Sequence, residues 1–162
     1  MSSEEQGLVF DCAGEHLVGV LHPGASDARL GVLVVVGGPQ YRVGSHRQFV
    51  VMARALAATG IPVMRFDCRG MGDASGERFS FEAVRADIDA AIGVLRSRLP
   101  ALERVVLLGL CDGASAALIH GYQREDVAGM ILLNPWVRDD SAAGRRSLRD
   151  YYRARLRQGG LW

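Results

Sequence analysis

The chain has 162 residues, 49% hydrophobic and 23% charged, with a formal net charge of +1. That is the length of one compact domain of ordinary globular composition, which excludes a disordered or fibrous chain and gives no reason to expect nucleic acid as a partner. All 19 basic residues are arginine, so chemistry that needs a lysine, in a P-loop or a Schiff base, is excluded too.

The first residues, MSSEEQG, are acidic and lead into no apolar segment of signal-peptide type. No apolar run approaches the ~18 residues of a membrane span. Cys12, Cys68 and Cys111 are odd in number, widely spaced and in no C-x-x-C arrangement. Reduced thiols in a cytoplasmic protein are the expectation, with no disulfide framework, metal site or cofactor.

LVFDC (8–12) and HLVGVLHP (16–23), separated by AGE, read as a hairpin. RLGVLVVVGG (29–38) is nearly continuous in apolar residues and predicts a strand buried on both faces. HRQFVVMARALAATG (46–60) has helical spacing through Phe49, Ala53, Leu56 and Ala57, with a stop at Gly60. IPVMRFD (61–67) is the next strand, followed by the glycine-rich CRGMGDASGE. In SFEAVRADIDAAIGVLRSRL (80–99), Val84, Ile88, Ile92 and Leu95 line one helical face and Ser80 is placed to cap it. RVVLLGL (104–110), a helix over about 112–123 and VAGMILLNP (127–135) continue the alternation. This order predicts an α/β fold with a mostly parallel sheet and flanking helices. After Trp136 a tail with seven arginines carries little core pattern, and it reads as a basic final helix with a solvated face.

Gly109-Leu110-Cys111-Asp112-Gly113 has the form G-x-nucleophile-x-G, with cysteine in the serine position. A nucleophile at a tight strand-to-helix turn takes strained backbone angles, and flanking glycines let the helix pack close. The turn also sets the nucleophile at a helix N-terminus, where the dipole favours a thiolate and the N–H of Asp112 is free to bind an oxyanion. The alternative is a small residue buried at a strand end. A second oxyanion donor is expected from the loop after the third strand, VVVGGPQYRVGSH. Pro39 has no N–H, leaving Gly38 as first choice and Gln40 as second, against a plain glycine turn that ends a strand.

RFDCRGMGDASGE (65–77) holds Asp67, Arg69, Gly70 and Gly72 in D-x-R-G-x-G form. With GGPQYRVGSHRQF and GLCDGASAAL, this motif makes the chain resemble the α/β-hydrolase superfamily, whose fourth strand commonly ends this way. Over roughly residues 8–137 it is most similar to the exosortase A system-associated hydrolases (type 1), predicted hydrolases encoded with bacterial exopolysaccharide and protein-sorting systems. A cysteine nucleophile is also similar to that of dienelactone hydrolases. The resemblance implies an α/β-hydrolase-like fold and an ester or thioester hydrolase acting on a small-molecule acyl substrate. Cys111 would be the nucleophile, with the N–H groups of Asp112 and of Gly38 or Gln40 forming the oxyanion hole. The segment from Asp67 to Arg69 reads as a charged turn bracing the sheet edge rather than as catalytic.

A relay needs a histidine to activate the thiol and an acid to orient the ring. In the superfamily both follow later strands. His120, the only histidine after Cys111, lies nine residues on, ~13 Å along a helix axis, and cannot reach it. His46 is near the glycine loop but precedes the nucleophile, and His16 and His22 read as structural. Asp139 and Asp140 follow the sixth strand, where some superfamily members place an acid. The expectation is therefore an N-terminal part of a hydrolase core over 1–137 and the start of a cap or tail over 138–162. The chain would be truncated after strand 6, with later strands and most of the cap missing, and would have little turnover alone. An unpaired sixth strand would invite a dimer or another partner. The competing reading is a non-catalytic or partner-completed α/β binding module linked to the same exopolysaccharide and exosortase systems. A Rossmann-type nucleotide binder fails in detail, since VVVGGPQYRVG is not G-x-G-x-x-G.

Overall fold

The computed structural model describes residues 4–38 and 40–135. Strands β1 (Gln6–Cys12) and β2 (Glu15–His22) form the expected hairpin, turning through Ala13 and Gly14, both at positive φ. β1 has one covered face: Leu8, Phe10 and Cys12 are buried while Val9 between them is exposed. The apolar run that follows becomes β3 (Leu30–Val35), and after helix α1 (Gln48–Ala58) comes β4 (Val63–Asp67), buried at every position. Helix α2 (Arg85–Arg98), β5 (Arg104–Leu110), α3 (Asp112–Gly121) and β6 (Val127–Leu133) complete the described elements.

The six strands form one sheet in the order β1-β2-β4-β3-β5-β6. β2 pairs antiparallel with both β1 and β4, and the remaining pairs are parallel. α1 lies against β4 and β2, whereas α2 and α3 touch each other and lie against β1, β3, β5 and β6. The sheet is therefore mostly parallel with flanking helices, as expected. The core is the sheet interior, with Leu33, Val34, Val35, Met64, Phe66 and Leu107 fully buried.

Two local expectations are corrected. Ser80 does not cap α2. The Ala83 N–H closes a separate turn on the Ser80 carbonyl, the Ser80 hydroxyl donates to Glu82, and the helix begins only at Arg85. The predicted apolar stripe nevertheless holds, with Val84, Ile88, Ile92 and Leu95 buried. The brace expected at a sheet edge stands instead at the C-terminal end of β4, an inner strand between β2 and β3. The tail segment 138–162, with Asp139 and Asp140, lies outside the described residues, as does Pro39.

Candidate active site

Cys111 stands between the last residue of β5 and the first of α3, with φ 53° and ψ −119°. Positive φ costs a non-glycine residue on the order of 1 kcal/mol or more and persists only where the surroundings enforce it. Here the enforcement is visible on both sides. The Cys111 N–H donates to the Leu133 carbonyl at 2.9 Å, which extends the β5–β6 pairing by one bond. The Cys111 carbonyl accepts from the N–H groups of Ala114 (3.0 Å) and Ser115 (3.1 Å), which start the helix. The side chain is partly exposed, and Asn134 Nδ2, beyond β6, is 3.9 Å from its sulfur.

The glycine spacing has a steric explanation. A Cβ on Gly109 would lie 2.2 Å from the Gly113 carbonyl oxygen, and one on Gly113 would lie 2.2 Å from that of Val35. A Cβ on Gly37 would lie 1.9 Å from the Gly113 nitrogen. The first turn of α3 thus rests backbone-to-backbone on the ends of both β3 and β5. That contact also brings the loop after β3 beside the elbow: a Cβ on Gly38, whose φ is 63°, would meet only Asp112 Oδ2, at 3.6 Å. Among the described residues, the N–H groups of Gly38, Gln40 and Asp112 take no hydrogen-bond partner. Gln40 Oε1 is also buried without one.

The loop after β3 is held from the end of β4. Asp67 is fully buried and accepts from the Arg42 N–H (2.7 Å), the Arg42 guanidinium and the Asp73 N–H (3.2 Å). Arg42 also pairs with Asp73 at 2.8 Å, and the Tyr41 hydroxyl donates to the same carboxylate. Gly72 is required because a Cβ there would lie 2.3 Å from Asp67 Oδ2. Arg69 reaches the other way, donating its backbone N–H and its guanidinium to buried Asp87 in the first turn of α2. Its guanidinium lies 4.5 Å from the centre of the Phe79 ring. Asp67 and Arg69 thus brace two different neighbours. Their partners Arg42 and Asp87 carry no local sequence signal.

A cleft of about 540 Å³ opens beside this loop. Gly38 and Asp112 line it, together with Met71, Phe79, Phe81 and Val84. Cys111 is not in its lining, so the cleft adjoins the donors rather than enclosing the sulfur.

The histidines do not gather at the elbow. His16 Nδ1 is 2.8 Å from Asp11, His22 is buried against Arg65, and His120 Nε2 is 2.9 Å from the Phe81 carbonyl oxygen. His46 is exposed in the single 3₁₀ turn (Ser45–Arg47) before α1, at φ 51°, and has no side-chain partner among the described residues. Cys12 and Cys68 are buried, and burial pushes both thiols up. Among the described residues no helix is long and apolar enough to cross a membrane, and no three His, Cys, Asp or Glu residues are placed to hold a metal.

Residues 29–156 match the family model for serine aminopeptidase, S33. No curated protein matches the sequence. An esterase of Pyrococcus furiosus has a similar structure, with a TM-score of 0.71 at 18% identity, over 82% of this chain and 52% of that one. For a putative hydrolase from Agrobacterium vitis the TM-score is 0.69 at 20% identity, over 98% of this chain and 62% of that one. For an α/β hydrolase from Penicillium sp. it is 0.71 at 22% identity, over 97% and 56%. The chain therefore spans between about half and three-fifths of these proteins' length. At such identities the likeness is one of fold.

Proposed function

The chain belongs to the serine aminopeptidase S33 family, within the α/β-hydrolases, and on that premise we propose that it contributes the nucleophile half of a hydrolase cleaving ester or thioester bonds through Cys111. The observation that carries this reading is the backbone of Cys111, held at φ 53° and ψ −119° next to the unpartnered N–H of Asp112, with Gly38, whose N–H is also unpartnered, beside the Asp112 carboxylate. The sulfur attacks the substrate carbonyl carbon, and the carbonyl oxygen becomes an oxyanion facing the N–H groups of Asp112 and of Gly38 or Gln40. Collapse of that adduct breaks the bond to the leaving alcohol or thiol and leaves an acyl group on Cys111. Water then releases the acid and restores the thiol. The cleft beside the donors suits an apolar acyl group, given walls that include Met71, Phe79, Phe81 and Val84.

The thiol proton needs a base. His16, His22 and His120 are engaged elsewhere and His46 stands exposed in the turn before α1, so we place the base and its acid outside the described residues. Residues 1–137 would then be part of the hydrolase core and 138–162 the start of a cap. The link to exosortase and exopolysaccharide systems rests on sequence resemblance, and the genes neighbouring this one test it.

The test of the nucleophile is intact-mass measurement after exposure to p-nitrophenyl acetate. A single acetyl adduct on Cys111, absent in Cys111→Ala, is expected, with little steady turnover. Adduct formation unchanged by Cys111→Ala would overturn the assignment. Sustained turnover that disappears in His46→Ala would overturn the placement of the base.

A further inference from the structure

The loop that bears Gly38 and Gln40 is held at Tyr41 and Arg42, and both backbone groups of Arg42 are gripped from β4. Alternate residues of a strand share a face, so Arg65 and Asp67 leave β4 on the same side. There they meet the two backbone groups of Arg42: Asp67 Oδ1 accepts from its N–H at 2.7 Å, and Arg65 Nη1 donates to its carbonyl at 2.8 Å. Arg65 is only 3% exposed, and its Nε donates to Nε2 of His22, 3.0 Å away and equally buried.

We propose that Arg65, held by an uncharged His22, is a positioning residue for the loop bearing Gly38 and Gln40, and that protonation of His22 loosens that loop at Arg42. A hydrogen bond from Arg65 Nε needs the lone pair on His22 Nε2, which only the neutral ring offers. Protonation would set an N–H against an N–H and a second cation beside a buried guanidinium. The charged groups facing His22 are Arg65 from β4, Glu5 from the segment before β1 and Arg54 from α1. Glu5 Oε1 is 3.8 Å from Nδ1 and is shared with Arg54, so it offsets little of the added charge. Consistent with this, burial first and the Arg65 charge second hold His22 below its ordinary 6.5, with Glu5 acting in the opposite sense.

The consequence for acyl transfer rests on the oxyanion role proposed above; the grip on the loop does not. Hydrogen exchange of the whole protein, read by mass spectrometry over segment 38–44 and corrected for intrinsic rates, separates the two. Measurements at about pH 7.5 and about pH 4.5 reach well below the ordinary histidine value, as a His22 held under it requires, with His22→Gln as the control for the carboxylates that titrate at the lower pH. In the unsubstituted protein, loop exchange is expected to rise about tenfold at the lower pH, the size of losing one hydrogen bond from a charged donor. His22→Gln supplies a non-titrating acceptor and should flatten that response. Arg65→Met should exchange fast at both pH values. In His22→Gln the rate of Cys111 acetylation should fall less with pH than in the unsubstituted protein.

The same pH response in His22→Gln as in the unsubstituted protein would overturn the proposal. So would full loop protection in Arg65→Met; if that variant does not fold, His22→Gln decides alone. Exchange that responds as expected while acetylation follows the unsubstituted pH profile would sustain the grip and count against the oxyanion role.

Discussion

β4 and β5 run in the same direction through the sheet, and each is followed at once by a cysteine. Cys68, after β4, is 1% exposed, and burial followed by the nearby Asp87 and Asp67 carboxylates pushes its thiol up. Cys111, after β5, is partly exposed at a strained turn. The difference lies in what each strand runs into. The end of β4 is organised by buried charge, with Asp67 holding Arg42 and Asp87 holding Arg69. The end of β5 is organised by the absence of side chains, with Gly37, Gly109 and Gly113 letting three stretches of backbone touch. One residue type is thus sealed in at one strand end and presented at the next.

If that contrast is right, the glycine frame should be the less forgiving region. Gly113→Ala places a Cβ 2.2 Å from the Val35 carbonyl oxygen, a backbone atom that cannot swing aside. A loss of more than about 3 kcal/mol is expected, together with loss of Cys111 acetylation. Denaturant unfolding checks this, and a near-neutral variant would break the comparison. Asp87→Asn keeps the shape of the brace but leaves the Arg69 cation without its counter-charge. Because Arg69 keeps 12% exposure, a cost of about 2–3 kcal/mol is expected, at or below the low end for a broken buried pair. Cys111 acetylation should survive this change.

Acid sharpens the contrast further, because charge titrates and steric contact does not. His22 sits below its ordinary 6.5, so the stability it contributes is complete above that value and is lost as pH falls through its lowered folded value. Asp126, held below its ordinary 3.8 chiefly by its hydrogen bond from Arg124, keeps its contribution above that value and loses it only in stronger acid. Urea unfolding against pH should therefore weaken in two stages, and His22→Gln should lack the first. The smallest effect concerns the thiols themselves. Iodoacetamide at mild alkaline pH should add once to the native protein, at Cys111, and three times after unfolding. Early labelling of Cys68, seen by peptide mapping, would contradict its sealed position.

The strands and helices were legible because their signals are local. RVVLLGL gives β5 to the residue, and the turn at Cys111 is readable since a steric frame of backbone contacts must be written in the glycines beside it. The braces were not legible in the same way. Asp67 and Arg69 announced a charged turn, but their partners lie 25 positions before and 18 after, and no periodicity links them. His22 and Arg65, 43 apart, looked like ordinary strand residues. Ser80 misled for the opposite reason: a capping residue type stood near a helix start, but an intervening turn claimed its carbonyl. His120 meets the Phe81 carbonyl, 39 positions away, a partner no local pattern signals.

The backbone contact among Gly37, Gly109 and Gly113 has one further consequence, for how such a site evolves. Nothing in that contact senses the side chain at position 111, since none of the close approaches at Gly37, Gly109 and Gly113 is to a Cys111 side-chain atom. Oxygen and sulfur are therefore exchangeable at the tip by a single substitution, without rebuilding the turn beneath it.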